Sequence, residues 1–422
     1  MTQSSPESKV LTFQDAVRVV EEHARELRPS GTERLPLLSC ARRVLAQDIA
    51  ADRDFPPFAR STRDGFALRS SDIAQPPVNL RIVGEIRAGS PPEKQLPVNA
   101  GEAVEIMTGA PVPNGADSVV MLEYTERTQD AVEVKRSVSA GENVVPRGSE
   151  ARRGAVLVAA GSRLDYAAIA AAASAGCAEP DVFRKPRVFV LSTGDEIVDI
   201  RAVPGPHQIR NSNTYSIAAQ VAAGGGDPVL LPVAPDEPGR LRELIREGLQ
   251  GDLLLLSGGV SMGKYDLVET VLAEFGARFH FTGVLIQPGK PLVFGDAASL
   301  GSSNGKRTCF FGLPGNPVST MVTFELFVRS VLDALCGAKR RSIVFPLAKL
   351  RGTVRSKTGL TRFIPAILGG LHGRAEVELA GWHGSGDLAA TARANCYAVI
   401  GPEVTEIADG ELVPVLLRGL DI

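Results

Sequence analysis

The stretch LLLLSGGVSMGKYD, residues 253–266, ends an apolar run abruptly and continues with Ser257, Gly258, Gly259, Ser261, Lys264 and Asp266. Two other stretches have the same build. LSTGDEI, residues 191–197, follows an apolar run with Thr193, Gly194, Asp195 and Glu196. FGLPGNPVST, residues 311–320, presents Pro314, Gly315 and Asn316 ahead of a helical pattern. Glycine lets backbone N–H groups approach an anion closely, hydroxyls add donors, and a helix start adds partial positive charge. None of these stretches fits the Walker or dinucleotide fingerprint. Taken singly, each is also what a tight strand-to-helix turn looks like. Together, after successive strands, they argue for a phosphate or oxyanion site.

The carboxylates complicate a purely anionic reading. Asp195 and Glu196 leave one apolar run, Asp236 and Asp266 each precede a helix, and Asp64 lies in the irregular segment STRDGFA. Magnesium takes a few carboxylates, several waters and phosphate oxygens, so acids beside an anion loop suit metal-assisted phosphate chemistry. Asp236 and Asp266 are equally suited to capping, the second through an Asp-x-x-Glu pattern with Glu269. Glu196 has no capping role. Lys290, in QPGKPLVFG, is either a surface lysine or one held toward the same site by the flanking Gly and Pro bends. Thr108, in IMTGAPVP, reads from its spacing as a hydroxyl that stabilises a turn.

The elements that position these residues follow from patterning. From residue 185 onward, short apolar strands alternate with amphipathic helices, which predicts a mainly parallel sheet covered on both faces. In such sheets ligands bind beyond the carboxyl ends of the strands, where all three Gly-rich stretches fall. PVSTMVTFELFVRSVLDALCG predicts one long final helix, and the chain after residue 340 returns to β patterning. Upstream, Thr12 with Asp15 caps a helix running to Leu27, and a second helix is expected over Ala41 to Ala46. Short alternating runs over residues 78–134 predict a β-rich unit. Leu164 to Ala175 is strongly helix-forming and is expected to pack beside the N-terminal helix. The division expected is thus a split helical domain (residues 10–52 and 151–184), an inserted β-rich domain (53–150), an α/β domain (185–340) and a C-terminal β-domain (341–422).

Composition bounds the function. Lys and Arg number 46 against 48 Asp and Glu, which argues against a general nucleic-acid or acidic-membrane binder. The five cysteines are scattered with no CxxC pair, so neither a zinc site nor a disulfide framework is expected and a reducing cytoplasm fits. The first ten residues are polar and carry no signal-peptide core, and no segment is long and apolar enough to span a bilayer.

STRDGFALR, EIMTGAPVP, LSTGDEI, LSGGVSMGKYD, QPGKPLVFG and GLPGNPVS occur here in an order that resembles the molybdopterin molybdenumtransferase family, the MoeA-like proteins and the E-domain of gephyrin. The resemblance covers essentially the whole chain. It implies a multidomain α/β subunit: a three-layer molybdopterin-binding domain with a parallel sheet, the split helical domain, the inserted β-rich domain and a C-terminal β-barrel-like domain. It also implies an elongated homodimer with its cleft between the α/β domain of one subunit and the β-unit of the other. The implied reaction inserts molybdenum from molybdate into adenylylated molybdopterin, with Mg²⁺-dependent hydrolysis and release of AMP. A separate molybdopterin adenylyltransferase is a candidate docking partner.

By motif, the resemblance places Asp64, Thr108, Glu196, Asp236 and Asp266 in catalysis, with Glu196, Asp236 and Asp266 at the metal. Thr193, Gly194, Ser257, Gly258, Gly259, Ser261, Lys290, Pro314, Gly315, Asn316 and Ser385 would contact the pterin and its anionic groups. Four positions depart from the family pattern. Gln287 stands where Lys is usual, Arg63 where Met is common, Arg60 for a usual Asn, and Glu150 for Asp. Arg60 and Arg63 are expected to compensate for Gln287 from across the dimer. Two other readings are weighed. A non-catalytic pterin-binding scaffold of the gephyrin E-domain type is disfavoured by the intact acid set. A nucleotide-amide hydrolase of the CinA type is disfavoured by MTGAPVP and by the C-terminal β-domain.

Overall fold

The structure is a computed structural model that describes residues 9–90, 97–259, 267–300, 307–340 and 342–418. At its centre lies a six-stranded sheet in the order Asp227–Leu230, Arg187–Ser192, Leu253–Ser257, Arg307–Leu313, Val293–Ala298, Arg278–Phe281. The first four strands run parallel, Val293–Ala298 runs against them, and the edge strand Arg278–Phe281 pairs antiparallel with it and so points the same way as the first four; the sheet is mainly parallel, as patterned.

Alternation along each strand separates two cores. Val188, Val190, Leu253, Leu255 and Phe311 face Ile217, Val221, Val322 and Leu332. Phe189, Leu191, Leu254, Leu256 and Phe310 face Leu241, Leu244, Ile245 and Leu272. That makes three layers, and it explains why the Leu253–Ser257 strand is apolar without interruption.

The register sets the site. Ser192 lies opposite Ser257, and Ser257 opposite Leu313. Three strands therefore end level with one another, about 4.8 Å apart, and the three Gly-rich stretches start side by side.

The last helix of this domain is continuous but not uniform. Pro317–Thr323 and Arg329–Leu335 are α-helical, and Phe324–Val328 between them is a π-turn. Thr323 Oγ1 donates back to the carbonyls of Ser319 and Thr320 just before the change, a local competitor for the helical ladder.

Phe13–Ala24 is capped by Thr12, whose side chain accepts from the Asp15 N–H. This helix buries Ala16, Val20 and Ala24 in the core of the α/β sheet. Tyr166–Ser174 instead packs its Ala172 with Cys40, Leu45, Leu164 and Val182. The two helices therefore do not pack side by side as expected. The two chain pieces meet through short antiparallel pairings: Thr32–Arg34 with Asp181–Phe183, and Ile49–Ala50 with Val156–Val158. Nor is there a helix over Ala41 to Ala46. A 3-10 turn covers Leu37–Cys40, Arg42 has φ of 65°, and Val44 and Leu45 bridge to Arg163 and Val182.

Residues between these pairings form a six-stranded sheet in the order Ser118–Met121, Gly65–Leu68, Glu102–Ile106, Val78–Ile86, Ala131–Val134, Thr125–Arg127. At the other end of the chain, Thr361–Leu371 pairs on one side with Arg374–Leu379 and on the other with Cys396–Ile400. With Leu347–Arg351 and Leu412–Leu417 the ring closes into a five-stranded barrel around Leu350, Ile364, Ala366, Val377, Ala398 and Val415. Ile286–Gln287 joins that barrel in parallel with Thr361–Arg362, stitching it to the α/β domain. Among the described residues no helix is long and apolar enough to cross a membrane.

Leu255 is fully buried between the sheet and its helices. Leu255→Ala is expected to cost about 2–5 kcal/mol through lost burial and the cavity left behind. A urea midpoint that does not move would contradict that packing.

Candidate active site

The level strand ends are tied to one another by hydrogen bonds. Thr193 N–H donates to the Ser257 carbonyl at 3.0 Å, and Gly194 N–H to the Ala234 carbonyl at 3.1 Å. Asn213, at the start of helix Asn213–Ala223, donates through Nδ2 to Ser257 Oγ at 2.8 Å and to the Gly315 carbonyl at 2.7 Å. Gly315's carbonyl can only accept, which fixes the amide's orientation. One buried side chain thus clamps two of the three loops. Asn213 escaped the motif reading; the only signal was an Asn at a helix start after a short exposed strand, which looks like ordinary capping. Its Oδ1 and Thr193 Oγ1 are buried with no hydrogen-bond partner among the described residues. A buried polar atom left unpaired costs roughly 1–3 kcal/mol, a cost expected where backbone and side chains are arranged for a ligand.

Glycine is required by contact. A Cβ on Gly258 would lie 2.5 Å from the Thr193 carbonyl oxygen, and Gly258 has φ of 88°. At Gly194 (φ 139°) a Cβ would lie 2.5 Å from Glu196 Oε2, so the Glu196 carboxylate folds back over its own loop.

Three carboxylates crowd this end of the sheet. Asp236 N–H donates to Asp195 Oδ1 at 3.1 Å. Burial, then the charges of Asp195 and Glu196, hold the Asp236 carboxyl above the usual carboxylate range. No cation pairs with Asp195, Glu196 or Asp236 among the described residues. Asp236 is not a cap: the N-cap of Pro238–Gly248 is Glu237, with no side-chain cap bond. An exposed acid cluster with no described cation beside it is a donor set that a hard divalent cation takes.

Asp64 and Thr108 form a second constellation. Thr108 N–H and Oγ1–H both donate to Asp64 Oδ1, at 2.6 and 2.8 Å, and hold its carboxyl below the usual range. Thr108 therefore does more than stabilise its turn: it orients and keeps ionised an exposed carboxylate. No described hydrogen bond links this pair to the loops of the α/β sheet.

The remaining expected residues divide clearly. Pro314, Gly315 and Asn316 lie in the clamped third loop, and Asn316 caps Pro317–Thr323 without a side-chain cap bond. Ser385 is brought to that helix start by its carbonyl, which accepts from Val318 N–H at 3.0 Å. Lys290 is exposed, and no described side chain pairs with it. Arg60 pairs with Glu150 at 2.8 Å, so it is already neutralised within its own β-unit. Ser261 and Asp266 lie outside the described residues.

Comparison with known proteins agrees along the whole chain. Residues 11–176 match the MoeA N-terminal region (domain I and II). Residues 189–334 match a probable molybdopterin binding domain, and 348–417 the MoeA C-terminal region (domain IV). The chain is 36% identical over 392 residues to the molybdopterin molybdenumtransferase of Nostoc sp. strain PCC 7120, covering 91% of this chain and 88% of that protein. It is 32% identical over 395 residues to that of Bacillus subtilis strain 168, covering 92% and 90%. The crystal structure of the molybdopterin biosynthesis moeA protein of Pyrococcus horikoshii OT3 superposes with a TM-score of 0.76 at 27% identity, covering 97% of this chain and all of that one.

Fold and site together define a multidomain α/β protein of molybdenum cofactor biosynthesis, built around a molybdopterin-binding domain. The chain belongs to the molybdopterin molybdenumtransferase (MoeA) family and is an enzyme of that pathway.

The raised Asp236 carboxyl gives a signed prediction. An acid whose folded pKa is raised favours folding while protonated and opposes it once pH climbs past its unfolded value. Asp236→Asn is therefore expected to raise the melting temperature at pH 7 without divalent cation, by about 1–3 °C. The gain should shrink as pH falls toward the carboxylate range. A lower melting temperature at pH 7 would refute the crowding.

Proposed function

We propose that this chain inserts molybdenum from molybdate into adenylylated molybdopterin, hydrolysing the AMP–phosphate linkage and releasing AMP. The observation that carries this reading is the crowded trio Asp195, Glu196 and Asp236 beside three glycine loops at level strand ends. Gly-rich backbone and the helix start at Asn316 suit a pterin phosphate. The residues expected to contact pterin and phosphate are Thr193, Gly194, Ser257, Gly258, Gly259, Pro314, Gly315, Asn316 and Ser385, with Ser261 and Lys290. The carboxylates suit Mg²⁺, with Glu196 and Asp236 as its holders and Asp195 close by; Asp266 completes the expected set. Bound there, the cation would neutralise charge on the phosphate oxygens. The protein's own part is to orient the phosphate linkage through the loops, present the Glu196 carboxylate beside them, and admit one water to the bond that breaks.

Asp64 and Thr108 bear on assembly. Their carboxylate is oriented and ionised but has no described link to the loops of its own chain. A homodimer that sets this β-unit against the partner's α/β domain unites the two constellations. The domain division set out from sequence, a cytoplasmic setting and supply of substrate by an adenylyltransferase belong to the same reading. A scaffold without catalysis would not need the unpaired acid trio.

The first test is to incubate the purified chain with adenylylated molybdopterin, Mg²⁺ and molybdate and to follow AMP. Molybdate-dependent release is expected, falling by about 100-fold or more in Glu196→Gln, the scale of losing a group that stabilises developing charge. Pterin binding with no AMP release would instead support the scaffold. The shared cleft has its own test. Asp64→Asn and Glu196→Gln subunits, each inactive alone, should regain roughly a quarter of wild-type activity on equal mixing and subunit exchange, since half the dimers are mixed and each has one intact cleft. No recovery, with exchange shown, would rule the shared cleft out.

A further inference from the structure

Cysteine spacing offers no zinc site, yet folding brings two of the five histidines to one buried aspartate. His23 lies in the last turn of the helix Phe13–Ala24. His280 lies on the edge strand Arg278–Phe281, and Asp296 on its neighbour Val293–Ala298. One nitrogen or carboxylate oxygen from each falls within 4.8 Å of the others. Asp296 is the register partner of Cys309, whereas the glycine loops leave the sheet at the level of Leu313. The cluster therefore sits toward the opposite end of the sheet from the acid trio.

Local structure aims these groups at one another. Phe279 packs on one face of the sheet and Phe281 on the other, which strict alternation forbids. A bulge absorbs the difference: Phe279 pairs with Gly295 and Phe281 with Phe294. His280, inside the bulge, turns toward the N-terminal helix and stacks on His23 with ring centroids 3.8 Å apart. Phe294 lies against both rings, at 5.5 Å from His23 and 5.2 Å from His280. His280 Nε2 meets Asp296 Oδ2 at 2.7 Å, and Asp296 Oδ1 accepts from Arg307 Nε. His23 Nδ1 meets the Val19 carbonyl at 2.8 Å. A carbonyl only accepts, so Nδ1 carries the proton and Nε2 keeps a lone pair in the neutral ring. Metal-bound histidines are commonly held in this way, the second ring nitrogen donating to a carbonyl or carboxylate.

We infer that His23, His280 and Asp296 form a binding site for a divalent transition-metal ion of the zinc class, through His23 Nε2, His280 Nε2 and Asp296 Oδ2. On binding, the His280 proton moves to Nδ1 through solvent, which frees Nε2 for the ion. The stacked rings must part to admit it, and His23, half-exposed on the last turn of its helix, has room to swing. Two imidazoles and a carboxylate, with a fourth position left to water, are a zinc donor set. The surroundings select the metal. Lys9, Arg278 and Arg307 all act on His280 through their charges, and Arg307 already shares Asp296. A hard ion held by charge alone is disfavoured there, whereas imidazole nitrogen suits zinc, nickel and copper. The bound ion fastens the end of the first helix to the edge of the α/β sheet. The site stands apart from the proposed function and does not depend on it.

The test takes the full chain, freed of metal by a chelator, and titrates it with Co²⁺ as a coloured stand-in for Zn²⁺. Excess Mg²⁺ is present to fill sites made only of oxygen. Wild type is expected to take up one ion per chain with the visible absorption of nitrogen-bound Co²⁺, and Zn²⁺ should displace it. His23→Gln and His280→Gln should each weaken binding by at least about tenfold, the lower end for losing even a group that only supports a metal ligand. His383→Gln is the control. His383 also faces an aspartate, Asp387 at 3.3 Å, but is exposed, and its loss should leave Co²⁺ binding unchanged. Zn²⁺ should raise the melting temperature of wild type and of His383→Gln but not of the other two variants, as for an ion that binds only the folded chain.

Failure of wild type to take up Co²⁺ or Zn²⁺ overturns the inference. So does uptake that both histidine variants retain in full, which would put the ion on the cysteines or the strand-end acids. If His280→Gln does not fold, His23→Gln decides alone, because the described hydrogen bond of the His23 side chain stays within its own helix.

Discussion

The level ending of three parallel strands is the constraint on which the site depends. Ser192, Ser257 and Leu313 share one register line, so three loops leave the sheet at the same height. If one strand shifted its pairing by one residue, its buried side chains would turn to the opposite face, since side chains alternate with period two. The two apolar clusters on either side of the sheet therefore hold the register, and the register holds the loops. Core packing and site geometry are one constraint seen from two ends.

Given level strand ends, the local chemistry follows by contact. Thr193 packs so closely on the second loop that its carbonyl leaves no room for a Cβ at Gly258. Asn213 reaches from a helix start to clamp Ser257 and Gly315. Backbone and amide groups fixed in this way need little rearrangement when an anion arrives, which is how a preorganised site gains over water. The unpaired Thr193 Oγ1 and Asn213 Oδ1 show the cost of that arrangement in the free protein.

Much of this was legible in the amino-acid order, for physical reasons. An uninterrupted apolar strand such as Leu253–Ser257 is buried on both faces and announces a parallel sheet. Glycine with hydroxyls after such a strand announces a loop that something approaches closely. The helix over Ala41 to Ala46 failed because its apolar residues serve isolated bridges to residues more than a hundred positions away. The partnership of the two early helices failed because an amphipathic stripe states that a helix packs, without stating on what. Thr108 illustrates the same limit. Its spacing said turn, while its partner Asp64 lies 44 residues back and only folding makes them neighbours. Asn213 carries only a signal that looks like ordinary capping, since it acts across a junction between separate segments.

The charges at the site are arranged so that they do not cancel. Elsewhere acids and bases meet directly, as in Arg60–Glu150 and Arg163–Asp333. In the loops, Asp195, Glu196 and Asp236 crowd together, and desolvation, then the charges of Asp195 and Glu196, push the Asp236 carboxyl up. At the barrel seam, the described acceptors of Arg362 are all neutral. Bringing these groups together would gain a salt bridge of small net worth and would extinguish both fields. Kept on separate elements, one at the strand ends and one on the seam, the acids and the guanidinium retain their separate fields. Separation of charge by topology, more than any single residue, is what the four-part architecture provides.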